Sequence, residues 1–154
     1  VTSSLDVESI LAEHGARLRP KDGSRFMRAI GHLLRVVGNK RFVTHYWTTL
    51  GRTIWYPTTV ADPYRYVTLI RHECVHVTQW RKWNVLFWLT YLMLPLPIGL
   101  AWFRWRWERE AMLVNIRAAY DPRREIERCV NALWREYAWT WPKKRMRRWF
   151  REHV

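Results

Sequence analysis

Acidic side chains are scarce in this 154-residue chain: 13 Asp and Glu stand against 27 Lys and Arg, a net charge of +14. The imbalance makes an acidic partner the expectation, whether nucleic acid, an anionic bilayer face or an acidic protein, and carries no information about fold. Cysteine is scarcer still. Cys74 and Cys129 allow one disulfide at most, which excludes a disulfide-stapled scaffold and suits two reduced thiols in a reducing compartment. Internal repeats, low-complexity linkers, zinc-finger spacings and DNA-reading-helix signatures are all missing. Val1 to Arg19 mixes charged, small and apolar residues where a secretory leader would have a basic start and an apolar run. A cytoplasmic setting is therefore expected, with a peripheral position on the inner face of a membrane as the alternative. Since residue 1 is not methionine, removal of an upstream segment stays open. The length suits a single domain over 1–154.

Aromatic residues, by contrast, are abundant. Twelve Trp, seven Tyr and five Phe exceed what a small core can absorb, so many are expected at the surface or an interface. Trp with excess positive charge suits lipid headgroups, and aromatics interleaved with Arg also suit nucleic acid. Val85 to Phe103 contains no charged residue, but Pro95, Pro97 and Gly99 interrupt it near its middle. Two short apolar helices turning at Leu94 to Gly99 fit this pattern better than one transmembrane span. The resulting 85–103 hairpin has four readings: core layer, lid over a greasy substrate, oligomer contact or membrane-dipping tip.

Helical spacing of Val7, Ile10 and Leu11 marks a first helix capped by Ser3 or Ser4, followed by a turn at Pro20 to Gly23. Ser24 caps a second helix to about Val37, ended by Gly38-Asn39. Phe42 to Thr49 and Arg52 to Tyr56, β-branched and aromatic with Gly51 between them, read as a hairpin or two edge strands. Further helices are expected at about 104–119 and 122–137. A basic C-terminal helix at 142–152 intersperses Lys143, Lys144, Arg145, Arg147, Arg148 and Arg151 with Met146, Trp149 and Phe150. It suits either anionic lipid or phosphate contact, or docking of its few apolar residues on the body.

The most informative stretch is His72-Glu73-Cys74-Val75-His76. Asp62-Pro63 offers an N-cap and a proline at the first helical position, and Tyr64 to Trp80 then runs without proline or glycine. Histidines four apart on one helix share a face and can hold one ion, while Glu73 stands where it can take a proton from water on that ion. The plainer alternative is a polar helix face with Cys74 as a core thiol. A catalytic zinc site needs a third protein ligand. Glu108 and Glu110 are the candidates, because a helical hairpin at 85–103 would return their helix to His72 and His76. His14, His32, His45 and His153 are poorer choices, His45 lying in an expected strand.

With Gln79 one turn beyond His76 and Glu108-Arg109-Glu110-Ala111 downstream, the chain resembles the gluzincin metallopeptidases. The likeness is greatest to their minimal members and to the membrane-linked group whose later helix reads Glu-x-Glu-Ala. It spans residues 24–120 as an order of elements: helix, strands, motif helix, glutamate-bearing helix. The resemblance implies an α+β, mainly helical zincin-like domain with a small β-hairpin or sheet before the motif helix. It further implies one Zn2+ on His72, His76 and Glu108, with Glu73 as general base. Glu110 is the alternative ligand, since thermolysin-like members place alanine directly after theirs. Met112 and Val114 stand where those members carry an aspartate that orients a histidine.

The expected function is zinc-dependent hydrolysis of a peptide or protein substrate by metal-activated water. Tyr56, Tyr64, Tyr91, Tyr120 and His45 are candidate donors to the oxyanion, and Gln79 could bond a ligand or substrate strand or simply lie on the helix surface. A strand at Thr53 to Tyr56 could pair with an extended peptide. Two other classes compete: a basic protein associated with nucleic acid, including a protease acting on DNA-bound proteins, and a metal-containing interaction protein without turnover.

Overall fold

The computed structural model describes residues 4–36, 41–92, 101–136 and 142–154. The fold is α+β and mainly helical, with a three-stranded mixed sheet preceding the helix that carries His72 and His76, a zincin-like arrangement. The chain divides into two compact units, 1–77 and 78–154.

In the first unit, α1 (Ser4–His14) ends at Gly15, whose φ of 60° lets the chain reverse into β1 (Arg17–Pro20). This strand escapes the sequence reading, which has only the turn from Pro20 to Gly23, because Leu18 is its single aliphatic residue. Ser24 does cap the next helix, its hydroxyl accepting from Met27 N at 3.2 Å, and α2 spans Arg25–Val36. The expected stop at Gly38-Asn39 lies outside the described residues.

Phe42 to Thr49 is not one strand. Phe42–His45 forms a short helix, α3, and only Thr48–Leu50 is extended, as β2. A tertiary contact overrides the β-branched composition: the buried Lys21 ammonium donates to Phe42 O at 2.8 Å, Tyr46 O at 2.6 Å and Thr48 Oγ1 at 2.8 Å. Two carbonyls four residues apart are gathered on one cation, which an extended chain cannot do. His45 thus lies in a helix. Gly31 of α2 faces α3 so closely that a Cβ there would overlap the Val43 side chain.

β2 turns at Gly51, φ 63°, into β3 (Thr53–Tyr56). The sheet order is β1-β3-β2, β3 being parallel to β1 and antiparallel to β2. Thr53–Tyr56 is therefore the central strand, hydrogen-bonded on both sides, so the expectation that it offers an open edge fails. Asp62 caps the following single turn of 3-10 helix, Pro63–Arg65, by accepting from Tyr64 N at 3.0 Å. α4 then runs Val67–Trp83, and the division into units falls within it. Its Ile70, Cys74 and Val77 pack with Val7, Leu11 and Ile54 as the core of the first unit.

In the second unit, Asn84 takes a left-handed φ of 47°, closing α4 through its N–H to Trp80 O and opening α5 (Val85–Leu92) through its carbonyl. The expected turn at Leu94 to Gly99 lies outside the described residues. α6 (Ala101–Ala118) packs on α5, where Trp107 Nε1 donates to Thr90 Oγ1 at 3.1 Å. Asp121 caps α7 (Pro122–Glu136), accepting from Arg124 N. In α8 (Lys143–His153), Met146 and Phe150 are fully buried among Trp105, Ile116, Val130 and Leu133, and Arg147 pairs with Glu127. The apolar residues of the basic terminal helix are thus spent on the unit's own core. Among the described residues, no helix is long and apolar enough to cross a membrane.

Candidate metal centre

Seventeen residues of uninterrupted helix fix the motif. At 3.6 residues per turn, His72 and His76 stack on one face of α4, their rings 5.1 Å apart and nearly perpendicular. Glu73 lies beside them. All three are buried, as is Gln79 one turn on.

Glu108 belongs to α6. Its neighbours on the buried arc are Trp105, Ala111 and Met112, three or four residues away, and its side chain is only 1% exposed. A carboxylate on such an arc costs several kcal/mol unless it meets a partner. The structure provides one. A nitrogen from each of His72 and His76 and a carboxylate oxygen of Glu108 all lie within 4.8 Å of one another.

These residues fit a zinc ion. The donor set, two imidazoles and a carboxylate, is a known catalytic combination that leaves a fourth position open. Tetrahedral bonds of about 2.0–2.2 Å put ligand atoms roughly 3.4 Å apart, so closure by an ångström or so of side-chain rotation suffices. Glu110, the alternative, is outside this group. It is exposed and accepts a hydrogen bond from Gln79 Nε2 at 2.9 Å.

Gln79 has a position that the sequence left between substrate contact and helix surface. Its Nε2 also donates to Trp107 O at 3.0 Å, so one amide group ties the last turns of α4 to α6 on either side of Glu108. The turn of the expected apolar hairpin lies outside the described residues, and the link between these two helices is the Gln79 amide.

Two residues near Glu73 went unrecognised in the sequence. Thr49 on β2 donates from Oγ1 to Glu73 Oε2 at 2.6 Å, a short charge-assisted bond that holds the carboxylate in one orientation. Lys21 holds the adjoining Thr48 and both ends of α3. Burial lowers its amine to about 8, against the opposing pull of the Glu73 charge. No local signal marks either residue, because both act across the sheet. The Cys74 thiol, beside Glu73, is pushed up to about 12, first by burial and then by the Glu73 and Glu13 charges.

The candidate oxyanion donors fall in different surroundings. Tyr56 is half-buried against Trp47, and burial, helped by Asp22 and Tyr64, raises its hydroxyl above the ordinary value. Tyr64 packs against the core of the first unit. Tyr120 is fully exposed between α6 and α7, and exposed His45 bonds its neighbour Thr44. The Tyr91 side chain lies outside the described residues. The structure thus contains a buried His72, His76 and Glu108 group able to hold a metal, in the arrangement of a His-Glu-x-x-His site. No family model, curated protein or solved structure matches the chain.

Proposed function

We propose that the protein is a zinc-dependent peptidase in which His72, His76 and Glu108 hold one Zn2+ and Glu73 is the general base. The observation that carries this reading is the convergence of two imidazoles and a buried carboxylate from another helix on one small volume. When bound, zinc would polarise the scissile carbonyl and acidify a water. Glu73, held by Thr49, takes the proton from the attacking water and returns it to the leaving amine. Both transfers use one carboxylate oxygen, so fixing the other on Thr49 limits the search for the right geometry.

An extended peptide is the substrate class that the sheet favours. β2 stands at the end of the strand order, pairs only with β3 among the described residues, and carries Thr49. A substrate strand added along β2 would run past the residue that positions the base. We place the reading above a nucleic-acid-binding role because phosphate contact gives no use to a buried group of two imidazoles and a carboxylate. The test is Glu73→Gln. It should retain one equivalent of zinc by elemental analysis and lose hydrolysis of a fluorogenic peptide library by at least about 100-fold. Undiminished hydrolysis would dismiss Glu73 as base, and a wild-type chain that holds zinc without hydrolysing any peptide would make this an interaction protein.

A further inference from the structure

α2 offers a surface that the metal reading leaves unexplained. Its residues fall into three ridges, each rotated about 100° from the next. Met27 and Gly31 are buried and Ile30 is half-buried, forming the ridge that faces the body. Phe26, Ala29, Leu33 and Val36, spaced three, four and three residues apart, form an outward apolar ridge. Phe26 is 58% exposed, Leu33 68% and Val36 82%. Arg25, Arg28, His32 and Arg35 repeat the same spacing one residue earlier, giving a cationic ridge alongside, and no acidic residue occurs in the helix.

Other strongly amphipathic helices of the chain do not behave this way. α7 buries Ile126, Val130 and Leu133, and α8 buries Met146 and Phe150. α2 alone among these three keeps a bare apolar ridge over its whole length, about 15 Å for ten residues. A basic row next to such a ridge is the arrangement that lies in the plane of a bilayer surface, aliphatic groups among the acyl chains and guanidinium groups at the headgroups.

We propose that α2 is a membrane-surface helix, with Phe26, Leu33 and Val36 entering an anionic bilayer and Arg25, Arg28 and Arg35 taking its headgroup phosphates and carboxylates. Charge favours this occupant over the others. Two copies packed ridge to ridge would bring arginine rows together with no acid on either helix to neutralise them. Duplex nucleic acid would reward the arginines but give Phe26, Leu33 and Val36 nothing apolar to enter. The proposal is independent of the zinc site.

The test places an environment-sensitive fluorophore on the full chain through Leu33→Cys. Cys74 and Cys129 are buried, so the folded chain takes the label at residue 33. With vesicles of 70% phosphatidylcholine and 30% phosphatidylserine, the label should shift to the blue and be quenched by brominated acyl chains. Pure phosphatidylcholine should bind on the order of 100-fold more weakly, a factor of about five for each of three arginines. Phe26→Ser with Leu33→Ser, which leaves charge unchanged at exposed positions, should weaken anionic-vesicle binding at least about tenfold. The proposal is overturned if the chain sediments with vesicles while the label stays in water, which would move the contact to another basic surface. It is equally overturned if the label shifts only with protein concentration, reporting a second copy, or only on duplex DNA. Should the double serine variant fail to fold, the label still decides.

Discussion

Replacing Glu108 by Gln keeps the shape of the side chain and removes the charge that would bind zinc. With zinc at 100 times its dissociation constant, the metal adds about 2.7 kcal/mol to wild-type stability. In the proposed site Glu108 would be one of three protein ligands, and it is 1% exposed, so water could not readily replace it. Its loss should weaken binding by at least the upper end of the ~10–100-fold seen when outer partners of metal ligands are removed. At the same zinc concentration the increment then falls to about 0.4 kcal/mol. For a chain of this size that is a zinc-induced rise in Tm of roughly 5–11 °C in wild type against about 1–2 °C in the variant. The measurement is thermal unfolding by circular dichroism with and without zinc. Taking the difference within each protein cancels any effect of the substitution on the metal-free state. Glu110→Gln, which leaves the His72, His76 and Glu108 group intact, should keep most of the increment. A full increment in Glu108→Gln, or its loss in Glu110→Gln instead, would refute the assignment.

Three other outcomes are expected. Thr49→Val removes the 2.6 Å bond to Glu73, and at about 1.5–3 kcal/mol for a bond to a charged group it should lower kcat for peptide hydrolysis roughly 10–100-fold with zinc content unchanged. Thr49→Ser should restore most of it, and a loss equal in both variants would show that the hydroxyl is irrelevant. Gly31→Ala sets overlap with Val43, about 1–3 kcal/mol, against a helix-propensity gain of about 1 kcal/mol. Denaturant unfolding should report net destabilisation that Val43→Ala relieves, whereas a stabilised single variant would mean that α3 shifts freely. Lys21 tests the pH dependence: its folded value of about 8 lies below the ordinary 10.5, so between these values the unfolded chain holds a proton that the folded chain has lost. Stability conferred by that proton balance rises with pH across the window, and the stability of wild type relative to Lys21→Met should rise from pH 8 to 10.5. A fall would mean that the three hydrogen bonds of the ammonium outweigh its burial.

Local chemistry was legible wherever a residue acts on its own neighbourhood. Ser24 and Asp121 cap the helices that follow them, and Asp62 caps the single 3-10 turn ahead of the motif helix instead of that helix itself, because a short side chain reaches N–H groups two or three residues on. His72 and His76 share a face by helical periodicity alone. Misreadings arose where long-range partners decide. Arg17–Pro20 became a strand only because Thr53–Tyr56 lies beside it, and that same pairing removed the open edge expected on the latter. Phe42, Val43 and Thr44 have the composition of a strand, yet Lys21 draws the carbonyls of Phe42 and Tyr46 onto one ammonium.

What the amino-acid order determined by itself was the helical frame and the two imidazoles on it, since both depend on intervals of three or four residues along one backbone. Tertiary structure decided which glutamate joins them, what Gln79 ties together and that Thr49 holds Glu73. Each of those contacts joins groups more than twenty residues apart, and only the packed chain brings such atoms within bonding distance.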